Sequence, residues 1–272
     1  MLRSGLFIFI IVLFLSACSN KIPSLQERKN IAISMINNKD LVQKDIKTYD
    51  FNLFSFQKVS NKCENIKIYI EGDGLSWVSK NIISSNPTPI NPVALSLMIV
   101  DESFCKIYIA RPCQYINSRS CEEKYWTNER FSKKIIDSFD EALNSIKKEF
   151  SNSNFELIGY SGGGTVATLL ASKRTDISSL TTVVGNLDIQ KWVKMQNITP
   201  LIGSLNPSDF IQNLENIKQH HLIGENDKII PKEIFFSYQS RFKNRKFITY
   251  SIHNATHSCC WEKIYKEYLE LK

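Results

Sequence analysis

Arginine-rich blocks and interleaved aromatic platforms are both missing from this 272-residue chain. Its formal net charge of +7 therefore comes from lysines scattered along the sequence. That pattern describes a solvated basic surface and gives no footprint for a nucleic-acid partner, while leaving room for a weak attraction to anionic lipid headgroups. Paired C-x-x-C knuckles are absent too, which argues against a zinc site, and no metal is expected. No internal repeat or long low-complexity segment appears, so solenoid architectures are excluded. Histidine is scarce: His220, His221, His253 and His257 are the four present, so any chemistry that needs an imidazole must draw on these.

Long hydrophobic runs are also lacking, with one exception at the front. Met1-Leu2-Arg3 gives a positive start, Gly5 to Leu15 an almost unbroken apolar stretch, and Leu15-Ser16-Ala17-Cys18 a small-residue site ending in cysteine. The stretch falls short of the roughly 20 residues a membrane span needs. It resembles a bacterial lipoprotein signal, which implies cleavage before Cys18 and lipid on its thiol and amine. Residue 19 is serine and not aspartate, which favours an outer-membrane anchor facing the periplasm. The expected organisation is a signal peptide over 1–17, a lipid anchor and tether with a short helix over 18–50, and one domain over 51–272.

Setting Cys18 aside leaves six of the seven cysteines: Cys63, Cys105, Cys113, Cys121, Cys259 and Cys260. An even number in an exported chain points to disulfides, although about 15 pairings are open. Cys113 and Cys121 bracket one short loop and are the pair expected. Cys63 and Cys105 each lie beside a predicted strand.

Beyond the tether, β-rich apolar runs alternate with helical patterns, the signature of a mostly parallel sheet covered on both faces. Strands are predicted near 54–59, 66–70, 105–110, 155–158, 180–184, 220–223 and 247–251. Helices are predicted at 92–100, 131–150, 165–172 and 231–241, with another after Trp261. The clearest helix carries Phe131, Ile135, Phe139, Leu143, Ile146 and Phe150 at steps of three and four.

Chemistry concentrates at Phe155-Glu156-Leu157-Ile158-Gly159-Tyr160-Ser161-Gly162-Gly163-Gly164-Thr165, an apolar run breaking into G-x-S-x-G and then a small-residue helix. This reads as a nucleophile elbow, a sharp strand-to-helix turn that exposes Ser161, with the N–H of Gly162 free to donate to an oxyanion. A serine hydroxyl needs a base, and the base needs a carboxylate to hold its tautomer. Downstream, Asp227 sits in a turn after a strand and His257 in the loop after the closing strand. Asp188 and His253 are the competing acid and base. The loop Glu71-Gly72-Asp73-Gly74 follows an early strand, where Asp73 or Gly74 supplies a second oxyanion donor.

With these parts in order, residues 50 to the end resemble an α/β-hydrolase. More narrowly, the motifs Glu71-Gly72-Asp73-Gly74, Ala110-Arg111-Pro112-Cys113-Gln114-Tyr115, Trp126-Thr127 with Arg130-Phe131, Gly185-Asn186-Leu187-Asp188 and His257 before Cys259-Cys260-Trp261 resemble exported bacterial serine hydrolases of unassigned substrate. The resemblance implies a cofactor-free hydrolase that attacks carboxylic esters through an acyl-enzyme. An acyltransferase or peptidase on the same fold, or a non-catalytic envelope-binding lipoprotein, is the alternative. Arg111, Trp126 and Tyr160 are the candidates to contact substrate, with Trp77 a further aromatic candidate; the competing reading has Arg111 pair with a nearby acid to brace its loop and places the two tryptophans in the core. The segment 199–209 is expected to form part of a lid, too short for a large lipase cap, so the pocket should be small or moderate.

Overall fold

Strands whose two faces are both buried carry apolar side chains at consecutive positions, and alternate residues then serve opposite layers. The computed structural model, which describes residues 22–60 and 63–272, shows this directly. Eight strands form the main sheet: β1 (Val42–Gln43), β2 (Ser55–Lys58), β3 (Asn65–Ile70), β4 (Lys106–Ile109), β5 (Asn154–Tyr160), β6 (Ile177–Val183), β7 (Lys218–Gly224) and β8 (Ile248–His253). Their spatial order is β1-β2-β4-β3-β5-β6-β7-β8. The six strands from β3 to β8 run parallel, and β1 and β2 add an antiparallel edge.

Ile66, Ile68 and Ile70 of β3 enter one core together with Ile107, Ile109, Phe155 and Leu157, while Tyr69, Tyr108, Ile158 and Tyr160 enter the other. The first core is closed by α3 (Lys133–Phe150), α4 (Gly162–Lys173) and α7 (Lys232–Ser240), through Ile135, Phe139, Leu143, Val166, Leu170, Phe235 and Tyr238. The second is closed by α1 (Leu25–Met35), α2 (Val93–Val100) and α8 (Trp261–Glu270), through Ala32, Leu95, Met98, Trp261 and Tyr265. Two shorter helices, α5 (Ile189–Gln196) and α6 (Ile211–Leu214), lie between β6 and β7.

The boundary expected at residue 51 moves toward the N-terminus. Ser24 caps α1 in a capping box with Glu27, the arrangement that satisfies two orphan donors at a helix start. Arg28 is buried and donates to Asn86 O at 3.2 Å and to Thr88 O, and β1 pairs with β2. Residues 24–50 are thus part of the domain body. The polar composition concealed this because the contacts are made by scattered residues: Arg28, Ala32, Ile46 and the partly buried Ile33, Ile36 and Leu41, with a two-residue edge strand. The signal segment and Cys18 lie outside the described residues, among which no helix is long and apolar enough to cross a membrane.

Among the described residues three disulfides are formed. Cys113–Cys121 is the expected pair, Cys63–Cys105 ties the approach to β3 to that of β4, and Cys259–Cys260 joins sequence neighbours ahead of α8.

Register brings the functional loops together. Ile70 lies beside both Ile109 and Gly159, Val183 beside Tyr160 and Leu222, and Gly224 beside His253. The loops after β3, β4, β5, β6, β7 and β8 therefore leave from the carboxyl edge of one sheet, where open α/β folds bind ligands.

Candidate active site

Between Tyr160, the last residue of β5, and Gly162, the first of α4, the chain turns on Ser161, whose φ is 51° and ψ is −119°. A non-glycine residue held in this region costs about 1–3 kcal/mol and persists only where its surroundings overdetermine it. Those surroundings are visible. The Ser161 N–H donates to Val183 O at 2.9 Å, and its C=O accepts from Gly164 N at 2.9 Å and Asn186 N at 3.3 Å. The glycines are steric requirements: a Cβ on Gly163 would lie 2.2 Å from Ile70 O, and one on Gly159 2.3 Å from Gly163 O.

His257 meets Ser161 from the loop after β8. Its Nε2 is 3.0 Å from Ser161 Oγ, and its Nδ1 is 2.7 Å from Asp227 Oδ2. Asp227 is 4% exposed, and its other oxygen accepts from Ile229 N at 2.8 Å and Ile230 N at 2.9 Å. An acceptor-only carboxylate fixes the proton on Nδ1, which leaves Nε2 to accept from the serine hydroxyl. The His257 carbonyl is held by Tyr160 OH and Trp261 Nε1, each at 3.0 Å.

The competing residues are engaged elsewhere. His253 bonds Ser251 Oγ at 2.8 Å, and His220 bonds Thr249 Oγ1 at 2.9 Å. His221, buried against Thr182 Oγ1 at 2.7 Å, is pushed down to about 3 by loss of solvent. Asp188 caps α5 through Lys191 N and accepts from Ser237 Oγ at 2.7 Å.

The loop after β3 reaches the elbow through Asp73, whose Oδ1 would stand 2.0 Å from a Cβ on Gly162. Arg111 Nη1 donates to Asp73 Oδ1 at 3.0 Å and Arg130 Nη1 to Oδ2 at 2.9 Å. Burial acts to raise this carboxyl, but the two guanidiniums outweigh it and hold Asp73 below its ordinary value. Gln114, fully buried, ties the same loop by donating to Gly72 O at 2.9 Å. Next to Asp73, burial pushes Glu71 up to about 7 against the opposing hydrogen bonds from Gly72 N, Ala94 N and Tyr108 OH. Gly162 is the first residue of α4, so its N–H has no acceptor within the helix and stands at the positive end of the dipole.

A cleft of about 1210 Å³ opens over Ser161. Asp73, Gly74, Tyr160, Gly162 and His257 line it. Arg111 and Trp126 do not. Arg111 is 4% exposed and spent on Asp73 and Arg130 O, while Trp126 is in the core with its Nε1 donating to Ser84 O at 3.0 Å. The expectation of a small or moderate pocket also fails, since typical ligand sites measure about 300–1,000 Å³. One wall is a two-stranded hairpin, Trp77–Ser79 with Ile82–Ile83, and the other runs from Trp192 to Leu201. Of the anticipated lid, Thr199 to Leu201 line the cleft, whereas Leu205 N is bonded to Phe131 O at 2.9 Å. Trp77, an expected aromatic candidate, lines the cleft, whereas Trp192 and the rest of the hairpin carry no signal in the sequence. An irregular segment between β3 and α2 carries no periodicity to reveal a wall. Among the described residues no group of three or more His, Cys, Asp or Glu side chains could hold a metal ion.

The profile of the family described as Serine hydrolase (FSH1) matches residues 87–265. No curated protein sequence matches the chain. Among solved structures, it is similar to Est1E from Butyrivibrio proteoclasticus with ferulic acid bound, at 13% identity, over 84% of this chain and 98% of that one, with a TM-score of 0.61. An esterase from Pyrococcus furiosus is similar at 14% identity over 85% and 92% of the two chains, TM-score 0.57. Naproxen esterase (carboxylesterase NP) from Bacillus subtilis is similar at 10% identity over 92% and 99%, TM-score 0.61. At these identities the likeness shows the fold, that of the α/β-hydrolases.

Proposed function

The chain belongs to the Serine hydrolase (FSH1) family, and from that premise we propose that it cleaves carboxylic esters through an acyl-enzyme on Ser161. The observation that carries this reading is the unbroken series of contacts from Asp227 through His257 to Ser161, at 2.7 and 3.0 Å, on a strained elbow. His257 Nε2 takes the hydroxyl proton as Ser161 Oγ attacks the carbonyl carbon. The carbonyl oxygen becomes an oxyanion facing Gly162 N–H and the Asp73–Gly74 backbone. Collapse breaks the ester C–O bond, and His257 returns the proton to the departing alcohol. Water then repeats the sequence, activated by His257, and releases the acid and free Ser161. Asp227 keeps the imidazole in the required tautomer and stabilises its cationic form. The structural neighbours named as esterases support the choice of ester as the bond.

In the same reading the lipoprotein-like signal ending in Leu15-Ser16-Ala17-Cys18 directs the enzyme to the bacterial envelope, anchored by lipid on Cys18 and facing the periplasm. The chemical step is tested by quenching a reaction with p-nitrophenyl acetate and measuring intact and peptide masses. An acetyl group on the Ser161 peptide is expected, absent in Ser161→Ala; turnover without a covalent species on Ser161 would remove the proposal. Anchoring is tested by fatty-acid incorporation in cells, which Cys18→Ser should abolish.

A further inference from the structure

Seven buried side-chain polar atoms find no hydrogen-bond partner among the described residues, and of these Asn186 Oδ1 alone belongs to a residue lining the cleft. Buried polar side-chain atoms in folded proteins are nearly always matched, so an orphan beside a nucleophile points to a missing partner. The Asn186 backbone is fully engaged with the elbow. Its N–H donates to Ser161 O at 3.3 Å, and its C=O accepts from Thr165 Oγ1 at 2.7 Å. Gly185 before it leaves no slack, since a Cβ there would lie 2.9 Å from Thr182 Cβ. The residue is 3% exposed. Its position is thus set by the elbow, while the carbonyl of its side chain is left unused.

A neighbouring asparagine shows the contrast. Asn206, also buried, spends both ends of its carboxamide, accepting from Ile189 N at 2.9 Å and donating to Asp209 Oδ1 at 3.1 Å. A structural asparagine is expected to look like that. Asn186 does not cap a helix and braces no loop with its side chain. Its Oδ1 is itself closed to solvent, so a ligand in the cleft is met by a turn of the carboxamide about χ2, a torsion with a broad, two-fold profile.

We propose that the substrate supplies the missing donor: the ester cleaved at Ser161 carries a hydroxyl or N–H within one or two carbons of the scissile bond, and Asn186 reads it. This rests on the ester-hydrolase reading given above. A hydroxyl fits best because it both donates and accepts, as the carboxamide does. A site that hydrogen-bonds a substrate hydroxyl discriminates against the analogue lacking it because its own polar group is then left unmatched. In an enclosed pocket that ratio reaches about 10⁴–10⁵. Water can enter this open cleft and lessen the difference, so a ratio on the order of 10–100 is expected.

The test compares kcat/KM for p-nitrophenyl 3-hydroxybutyrate with p-nitrophenyl butyrate, placing the donor on the acyl side. A second pair, 2-hydroxyethyl butyrate and propyl butyrate, places it on the alcohol side. One pair should show a preference of at least 10-fold for the hydroxylated ester, and Asn186→Leu should bring that ratio to about 1. Asn186→Asp retains an acceptor and should keep part of the preference, which also serves if the leucine variant does not fold. Ratios near 1 for both pairs, or an unchanged ratio in Asn186→Leu, overturn the proposal. Titration of the Ser161→Ala protein with the same esters reads recognition without turnover. Discrimination there combined with no hydrolysis by the parent would retain the role of Asn186 and discard the ester reading, whereas hydrolysis without discrimination does the reverse.

Discussion

Replacing Asp73 with asparagine keeps the shape of the side chain but removes the charge between Arg111 and Arg130. The arginine side chains are only 5% and 9% exposed, so the substitution leaves two buried cations with one neutral acceptor between them. Breaking a buried pair by removing one partner costs about 3–5 kcal/mol, since the charge left behind is uncompensated. Asp73 itself is 23% exposed, so water recovers part of the loss, and the low end, about 3 kcal/mol, applies. For a domain of this size that corresponds to a fall in Tm of about 6–12 °C, measurable by calorimetry at neutral pH. The pH dependence gives a second readout. Asp73 is held below its ordinary 3.8, so the stability it contributes is present above 3.8 and is lost as pH falls through its lower folded value. The gap between parent and variant should therefore close under strong acid. A shift under about 2 °C at pH 7, or a gap that does not close, would refute the view that the two arginines hold this carboxylate in its charged form.

Glu71 should act in the opposite direction. Its folded pKa of about 7 lies above the ordinary 4.5, so its stabilising contribution is complete below 4.5 and disappears as pH rises through 7, a change on the order of 3 kcal/mol. Glu71→Gln should flatten the stability profile between those limits in urea titrations, and an unchanged slope would count against its burial as the cause. His257→Ala should lower kcat/KM by about 10³–10⁴-fold or more, with His253→Ala within about threefold of the parent; equal losses would reopen the choice of base. Removing the Cys63–Cys105 disulfide, which closes a loop spanning 42 residues, should cost about 4 kcal/mol, against about 2.5 kcal/mol for Cys113–Cys121, which spans 8. Equal urea midpoint shifts for the paired Cys→Ala variants would show that loop closure does not set the difference.

The residues that signal themselves in the sequence are those whose local chemistry allows few substitutes. Gly159 and Gly163 could be recognised because the turn leaves no room for side chains there, Ser161 because it stands between them, and Asp227 and His257 because each follows a strand end in the expected order. The parallel strands were legible from their apolar runs, within a few residues at each end. Arg111 was legible only as a choice between a substrate contact and a brace on a nearby acid, and the structure shows the brace. Its sequence neighbours place it on the right sheet edge, but whether a guanidinium faces substrate or a buried carboxylate depends on Asp73, 38 positions away. Trp126 misled for a similar reason, since an indole suits a core as well as a cleft. Segment 24–50 joins the domain through Arg28 contacts at separations of 58 and 60 residues, and no local pattern encodes these. Of the cleft walls only Trp77 and Thr199 to Leu201 were legible, since irregular loops leave no period to read.

Activation of Ser161 by His257 and Asp227 can be read from covalent labelling with a fluorophosphonate. The parent protein, Ser161→Ala, His257→Ala and His253→Ala would be exposed to the probe, with folding checked by circular dichroism and the adduct located by peptide mass spectrometry. A single adduct is expected on Ser161, absent in Ser161→Ala, slowed at least 100-fold in His257→Ala and retained in His253→Ala. A folded parent that takes no label, or a label on another serine, would contradict that activation.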